Sequence, residues 1–134
     1  LSKHEEFSFC VIGRGEFQSE FNSLRTSERV QYHEYVPHEE IADYYRAADV
    51  FLLPSRVEGV PNVILESLAC GVPVLATPVG EVPHMIDETC ESEAEFVRRL
   101  VDEDLPDQQY PERYTWENLQ KEYIGIFREC AKIP

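Results

Sequence analysis

Glu58 and Glu66 stand seven residues apart, on either side of the run GVPNVIL. An ionised carboxylate only accepts hydrogen bonds, up to about four through two oxygens. Pro61 sits where a helix tolerates proline, in its first turn, and an apolar-periodic segment follows from Asn62 to Cys70. The first N–H groups of such a helix have no intrahelical acceptor and attract anions. Glu66 lies about one turn in, roughly 6 Å at 1.5 Å per residue, and Glu58 lies in the loop feeding the same end. Two acceptors and a row of donors thus converge at one helix start. That arrangement stands where a ligand could bind. A plainer reading also holds for this spacing taken alone: carboxylates favour helix starts on dipole grounds.

These groups are positioned by the stretch Asp49 to Gly80. Val50 to Leu53 is an apolar run ended by Pro54, and Val72 to Thr77 is a second β-rich run following Gly71. With the helix between them they predict a βαβ unit with two parallel, buried strands. Gly71 falls just past the helix end, where a left-handed residue is wanted. Ile64, Leu65, Leu68 and Ala69 form the stripe expected to pack on the sheet. Asn62 and Glu66, four apart, share another face. The site would then open at the carboxyl end of a parallel strand, where open α/β sheets bind ligands.

The remaining elements predict an α/β fold. Leu1 to Glu6 reads as the end of a helix. Phe7 to Ile12 reads as a buried strand carrying Cys10, closed by Gly13-Arg14-Gly15. Helical spacing at Phe17, Phe21 and Leu24 follows, then a β-rich stretch from Arg29 to Val36. A helix is expected over His38 to Ala48 with Ile41, Tyr44, Tyr45 and Ala48 on one face. After the βαβ unit come a helical turn at Val82 to Ile86 and an amphipathic helix over Glu91 to Asp104, with Phe96, Val97, Leu100 and Val101 inward. A loop runs to Pro111, and Thr115 is placed to cap a last helix, Trp116 to Ala131. Alternating strands and helices predict a Rossmann-like parallel sheet with helices on both faces, half of a doubly wound fold. Gly13-Arg14-Gly15 also opens a dinucleotide fingerprint, with Glu34 about 20 residues on as the ribose acid. The third glycine position holds Gln18, however, so a tight turn using glycine's permissive φ explains the pair better.

Composition narrows the function classes. The chain has 134 residues, 43% of them hydrophobic, and is one domain's length. Its 26 acidic and 12 basic residues give a net charge of −14, which argues against nucleic acid or an anionic membrane as partner. No apolar run approaches the roughly 18 residues of a membrane span, so a cytoplasmic protein is expected. Cys10, Cys70, Cys90 and Cys130 form no C-x-x-C, and neither they nor the four histidines show metal-ligand spacing. Free thiols and no metal are expected. Arg14 and Arg56 are the cations best placed to offset the acidity for an anionic ligand.

The run PSRVEGVPNVILESLACGVPVLATPVG resembles the signature of the retaining family 4, or group 1, glycosyltransferases of the GT-B fold. The likeness lies with their C-terminal, donor-binding domain. Glu58 and Glu66 match the family's paired glutamates, and Pro54-Ser55, Glu58-Gly59, Ala69-Cys70-Gly71 and Pro73-Val74 match the frame around them. VIGRGE resembles the family's strand and Gly-x-Gly turn. HEEIADYYRAADVFLLPS resembles its approach to the donor loop, and YTWENLQKEYIGIF its terminal helix. The resemblance implies transfer of a sugar from a UDP- or GDP-linked donor, with retention at the anomeric carbon and neither metal nor cofactor. It implies that Glu66 accepts from the ribose 2′- and 3′-hydroxyls and that Glu58, the catalytic candidate, accepts from the transferred sugar. Backbone N–H groups of Gly59, Val60, Pro61-Asn62 and Val63 would meet sugar and phosphate oxygens. Gly13 and Gly15 would wall the donor site, Tyr35 and Val36 would face the base, and Ser55 and Arg56 would line the pocket, Arg56 serving equally as a solvated charge or a partner of Glu58.

Several family features are absent from the stretch 1–134. The Gly-Arg and Lys-Gly segment that grips the diphosphate does not occur, nor does the N-terminal acceptor domain. Tyr35 replaces a glycine, and Asp87 to Glu91 is a shortened link in place of a glycine-containing hairpin. The chain is therefore expected to be the donor half of a longer enzyme, inactive in isolation. Its acceptor domain would be the principal partner, and any membrane association would come through that domain. Two other readings are a nucleotide-sugar-binding module without chemistry and a domain of a nucleotide-sugar epimerase.

Overall fold

The computed structural model describes residues 7–14 and 27–131. The expected helices at Leu1 to Glu6 and Glu16 to Ser27, and the site candidate Gly15, lie outside the described residues. The chain divides into two compact units, residues 1–44 and 45–134.

In the first unit, β1 (Phe9–Ile12) pairs in parallel with β2 (Val30–His33), with Phe9 opposite Val30 and Ile12 opposite His33. The parallel pairing is as the sequence predicts, but burial is not. Phe9, Cys10 and Ile12 are exposed. Among the described residues the sheet has only these two strands, too few to enclose an apolar strand on both faces. Cys10 is therefore not the buried thiol that FSFCVI suggests. The helix α1 (Ile41–Arg46) is shorter than predicted, because residues 38–40 form tight turns closed by Glu40 N–H to Pro37 O and Ile41 N–H to His38 O.

The second unit contains the βαβ element: β3 (Phe51–Leu53), α2 (Asn62–Ala69) and β4 (Val74–Ala76). β3 and β4 are parallel, with Phe51 opposite Val74 and Leu53 opposite Ala76. Period-2 alternation sends their side chains to two cores. Val74 and Ala76 join Ile64 and Leu68 of α2, Val82 and Met85 of α3 (Val82–Met85), and Ile86, with Phe51 and Leu53 packed against them. Leu75 faces the other way, onto Cys90 and onto Phe96 of α4 (Glu93–Val101), flanked by Val50, Leu52, Leu100 and Leu105. The β3–β4 pair thus has helices on both faces, as predicted.

Three details differ from the pattern reading. Ala69 is exposed and Leu65 half-buried, and the third buried position of α2, beside Ile64 and Leu68, is Ser67, whose hydroxyl donates to Val72 O at 2.9 Å and closes the helix-to-strand turn. On α4, Val97 is 57% exposed and Arg99 is buried instead, its Nη1 donating to Glu88 at 2.7 Å with Glu95 also alongside. Thr115 precedes α5 (Trp116–Cys130) but does not cap it. Its hydroxyl donates to Glu112 O in a short 3-10 turn, where Asn118 donates as well. Most apolar residues of α5, among them Trp116 (78%) and Phe127 (68%), are exposed, and Leu119 is half-buried.

The outer edge of β4 is closed by a side chain. Gln108 Oε1 accepts from Val74 N–H at 2.7 Å and Gln108 Nε2 donates to Val74 O at 3.1 Å, while Cys90 N–H donates to Ala76 O at 2.8 Å. An amide side chain here makes the two bonds that a neighbouring strand would make. Gln108→Ala removes both and should cost about 1–3 kcal/mol, a drop of several degrees in Tm. Gln108→Glu should be no milder, since one oxygen would then face Val74 O. Melting curves of the two variants check this.

Candidate functional site

The loop from Pro54 to Pro61 leaves the carboxyl end of β3 and enters α2. Its shape is set by the segment that follows β4. Thr77 Oγ1 donates to Ser55 O at 2.5 Å, and Thr77 N–H donates to Leu53 O at 3.2 Å. Further along, Glu81 N–H donates to Gly59 O at 2.9 Å. Gly80, at φ +59°, lies so close that a Cβ there would fall on the Glu58 carbonyl oxygen and 2.7 Å from that of Gly59. The loop is therefore tied at Ser55 and Gly59 and braced at Glu58.

Pro61 is buried at the N-cap position and supplies no side-chain cap. Ile64 N–H turns back to Pro61 O, whereas the N–H groups of Asn62 and Val63 meet no acceptor among the described residues. These free donors occupy the end of α2 that carries the positive pole of the helix. No acidic residue lies in the first turn. Glu66, half-buried, is the fifth residue of the helix, so the dipole explanation for its placement is weak: that effect fades within one turn.

Glu66 has a specific partner. Tyr45 Oη donates to Glu66 Oε2 at 3.1 Å, and the Tyr45 ring meets Phe51 edge-to-face with centroids 5.5 Å apart. Burial, reinforced by the adjoining carboxylate, pushes the Tyr45 phenol above its ordinary value, so it remains a donor at neutral pH. Glu58 is half-buried and its carboxylate has no hydrogen bond or ion pair among the described residues. Arg56 is exposed and forms no ion pair with Glu58 among the described residues. Ser55 and Val63 are half-buried; Gly59, Val60 and Asn62 are exposed.

Gly13, Tyr35 and Val36 belong to the first unit. Gly13 continues the β1–β2 ladder, its N–H donating to His33 O and its carbonyl accepting from Tyr32 Oη at 2.7 Å. Tyr35 is 67% exposed beneath the Arg14 guanidinium, 5.8 Å from the ring centroid, and Val36 is buried. Arg14 also pairs with Glu34 at 3.4 Å, so Glu34 serves as a surface counter-ion and Arg14 is partly neutralised.

Among the described residues no three His, Cys, Asp or Glu side chains are grouped to hold a metal ion. None of the four cysteines forms a disulfide. A cavity of about 330 Å³ lies at the opposite end of α2, between Gly71 and Pro106 to Tyr110, and none of the predicted site residues lines it. The candidate site is thus an open loop and helix start, not an enclosed pocket. Sequence reasoning missed Thr77, Gly80 and Tyr45. Gly80 could have been found as the glycine ending the second strand's extension. Helical spacing assigns Tyr45 only to the apolar face of its helix.

Residues 1–108, which include both glutamates and the loop between them, match the model of a family described as glycosyl transferases group 1. The chain belongs to that family. Group 1 membership agrees with the α/β fold and with the resemblance carried by the Glu58–Glu66 frame. The chain is 30% identical over 130 residues to a D-inositol 3-phosphate glycosyltransferase of Corynebacterium urealyticum, covering 83% of this chain and 30% of that protein. It is 33% identical over 89 residues to the phosphatidylinositol N-acetylglucosaminyltransferase GPI3 subunit of Saccharomyces cerevisiae, covering 63% and 20%. A sulfoquinovosyl transferase, SQD2, of Arabidopsis thaliana is 29% identical over 97 residues, covering 72% and 19%. The chain therefore spans between about a fifth and a third of the length of these relatives. No helix among the described residues is long and apolar enough to cross a membrane.

Proposed function

We propose that this chain is the donor-binding domain of a retaining group 1 glycosyltransferase that uses a nucleoside-diphosphate sugar. The observation that carries the reading is the pairing of unsatisfied N–H donors at the start of α2 with two half-buried carboxylates, Glu58 and Glu66, that have acceptor capacity to spare. Glu66 accepts from the ribose hydroxyls, a fork that selects a ribonucleotide. Glu58 accepts from hydroxyls of the sugar that moves. The N–H groups from Gly59 to Val63, proline excepted, meet sugar and distal phosphate oxygens. During transfer the glycosidic C–O bond to the diphosphate breaks and charge builds on the departing phosphate. Fixed N–H dipoles stabilise that charge without reorganising. No metal ion is required for this, and the acceptor site belongs to another domain of the whole protein.

The reading is tested on the full-length protein with a panel of UDP- and GDP-sugars. Product should carry the donor's anomeric configuration by NMR, and turnover should survive EDTA. An inverted product, or no binding of either nucleoside diphosphate, would overturn it. Residues 1–134 alone should show no useful turnover, because the acceptor cannot be held in place.

A further inference from the structure

We infer that Tyr45 is a positioning residue for nucleotide recognition, holding the Glu66 carboxylate in the orientation that reads the ribose. The inference rests on the donor-binding reading above, and it adds a residue to which neither the motif nor the site's exposed surface points. Tyr45, Phe51 and Glu66 all belong to the second unit. The Tyr45 side chain is buried, yet its single polar atom is spent on Glu66 Oε2 at 3.1 Å.

Three features make this contact a device for orientation. First, the ring is fixed before the hydroxyl is: it packs edge-to-face on Phe51 of β3, with planes 81° apart. The hydroxyl therefore meets Glu66 from a position determined by the core. Second, the bond takes one of roughly four lone-pair sites on the carboxylate. Glu66 Oε1 and the rest of Oε2 are left for two hydroxyls. Third, glutamate has three side-chain torsions and is costly to order on binding. A glutamate ordered in advance gives that cost to folding and returns it as affinity. The phenol is protonated throughout the neutral range, so the donor is always present.

The alternative is that Tyr45 merely stabilises the helix packing. The two roles separate on the ratio of affinities for a ribonucleotide and its 2′-deoxy counterpart. A packing defect weakens both ligands by the same factor, whereas a misplaced Glu66 weakens the ribonucleotide, which offers it two hydroxyls, more than the 2′-deoxy ligand, which offers it only the 3′-hydroxyl. The experiment is titration calorimetry of UDP and 2′-deoxy-UDP, and of GDP and 2′-deoxy-GDP, against the full-length protein, its Tyr45→Phe variant and its Glu66→Ala variant. Tyr45→Phe keeps the ring and its contact with Phe51, and a melting curve confirms that the variant is folded. The native protein should prefer the ribonucleotide about tenfold or more, and Glu66→Ala should bring the ratio near one. Tyr45→Phe should lower it about threefold or more, the 2′-deoxy ligand losing less affinity than the ribonucleotide because only its 3′-hydroxyl meets Glu66. In the Tyr45→Phe/Glu66→Ala double variant the first substitution should add nothing to the ratio.

A native ratio in Tyr45→Phe beside a collapsed one in Glu66→Ala would overturn the positioning role and leave the donor-binding reading standing. Equal losses for both ligands in Tyr45→Phe would overturn it in favour of packing. No ribose preference in the native protein, or an unchanged one in Glu66→Ala, would sink the ribose assignment of Glu66 and this inference with it.

Discussion

Glu66→Ala should weaken binding of a nucleoside diphosphate by about tenfold or more in the full-length protein, and should weaken it more than it weakens any contact to the sugar. A hydrogen bond to a charged group is worth on the order of 1.5–3 kcal/mol, and each 1.4 kcal/mol is a factor of ten. The opposing expectation has the opposite sign. A carboxylate that merely favours a helix start repels an anionic ligand, so its removal would leave affinity unchanged or raise it. Glu66 is beyond the first turn of α2, which already weakens that alternative. The substitution also strips the Tyr45 hydroxyl of its acceptor, so a modest fall in Tm should accompany the loss of affinity. Calorimetric titration with UDP and GDP measures the first effect, and a melting curve the second. Unchanged or tighter binding would remove Glu66 from the ribose site.

The glutamate pair was legible in the sequence because its frame is long. Proline, glycine and two apolar runs each fix a local conformation, and together they specify strand, loop, helix and strand in one order. Gly71 adopts φ +77° just past α2, as its position predicts. Other residues could not be read because hydropathy does not record pairing. Arg99 is buried on α4 where Val97 was expected, and its ion pairs with Glu88 and Glu95 offset the desolvation that would otherwise keep it outside. Gln108 is a polar residue in a loop by any pattern, yet it closes the edge of β4. Cys10 erred in the other direction. An apolar strand reads as buried, but the described part of its sheet is two strands wide and leaves Cys10 exposed.

Tyr45 shows the same limit at the site. Helical spacing placed it on the apolar face, and its ring is there, against Phe51. Periodicity says nothing of the hydroxyl at the end of that ring. The loop supports were hidden for a related reason. Thr77, Gly80 and Glu81 lie some twenty residues beyond the loop in sequence and reach it only because β4 returns parallel to β3. Local pattern gives the elements, and the register between the two strands decides which backbone groups brace Glu58.

Gly80→Ala should be the most damaging single-atom change near the site, lowering both stability and turnover. Two costs combine. The φ of +59° lies in the left-handed region, which costs a residue with a Cβ roughly 1–2 kcal/mol. The added methyl also falls on the Glu58 carbonyl, which is backbone and cannot swing aside as a side chain could. Overpacking of that kind costs typically about 1–3 kcal/mol. The sum, about 2–5 kcal/mol, is a large part of the roughly 5–15 kcal/mol that holds a domain folded. A fall in Tm on the order of 10 °C is expected. If the fold survives, the strain is relieved by moving the loop, which stretches the Glu81 N–H to Gly59 O bond and displaces Glu58 with its neighbouring N–H donors. A misplacement approaching 1 Å can cost about a hundredfold in rate, so kcat/KM for sugar transfer should fall far more than affinity for a nucleoside diphosphate, which on the proposed reading is held by Glu66 from α2. Gly80→Asn separates the two costs, because asparagine tolerates the left-handed region and yet carries the same Cβ. It should be nearly as harmful as alanine if contact with the Glu58 carbonyl dominates. Gly71 offers the comparison in which no atom lies within 4 Å of the added Cβ and only the φ cost applies. Gly71→Asn should be close to neutral there. A Gly80→Asn protein with native Tm and native kcat/KM would show that the loop carrying Glu58 is not braced from below.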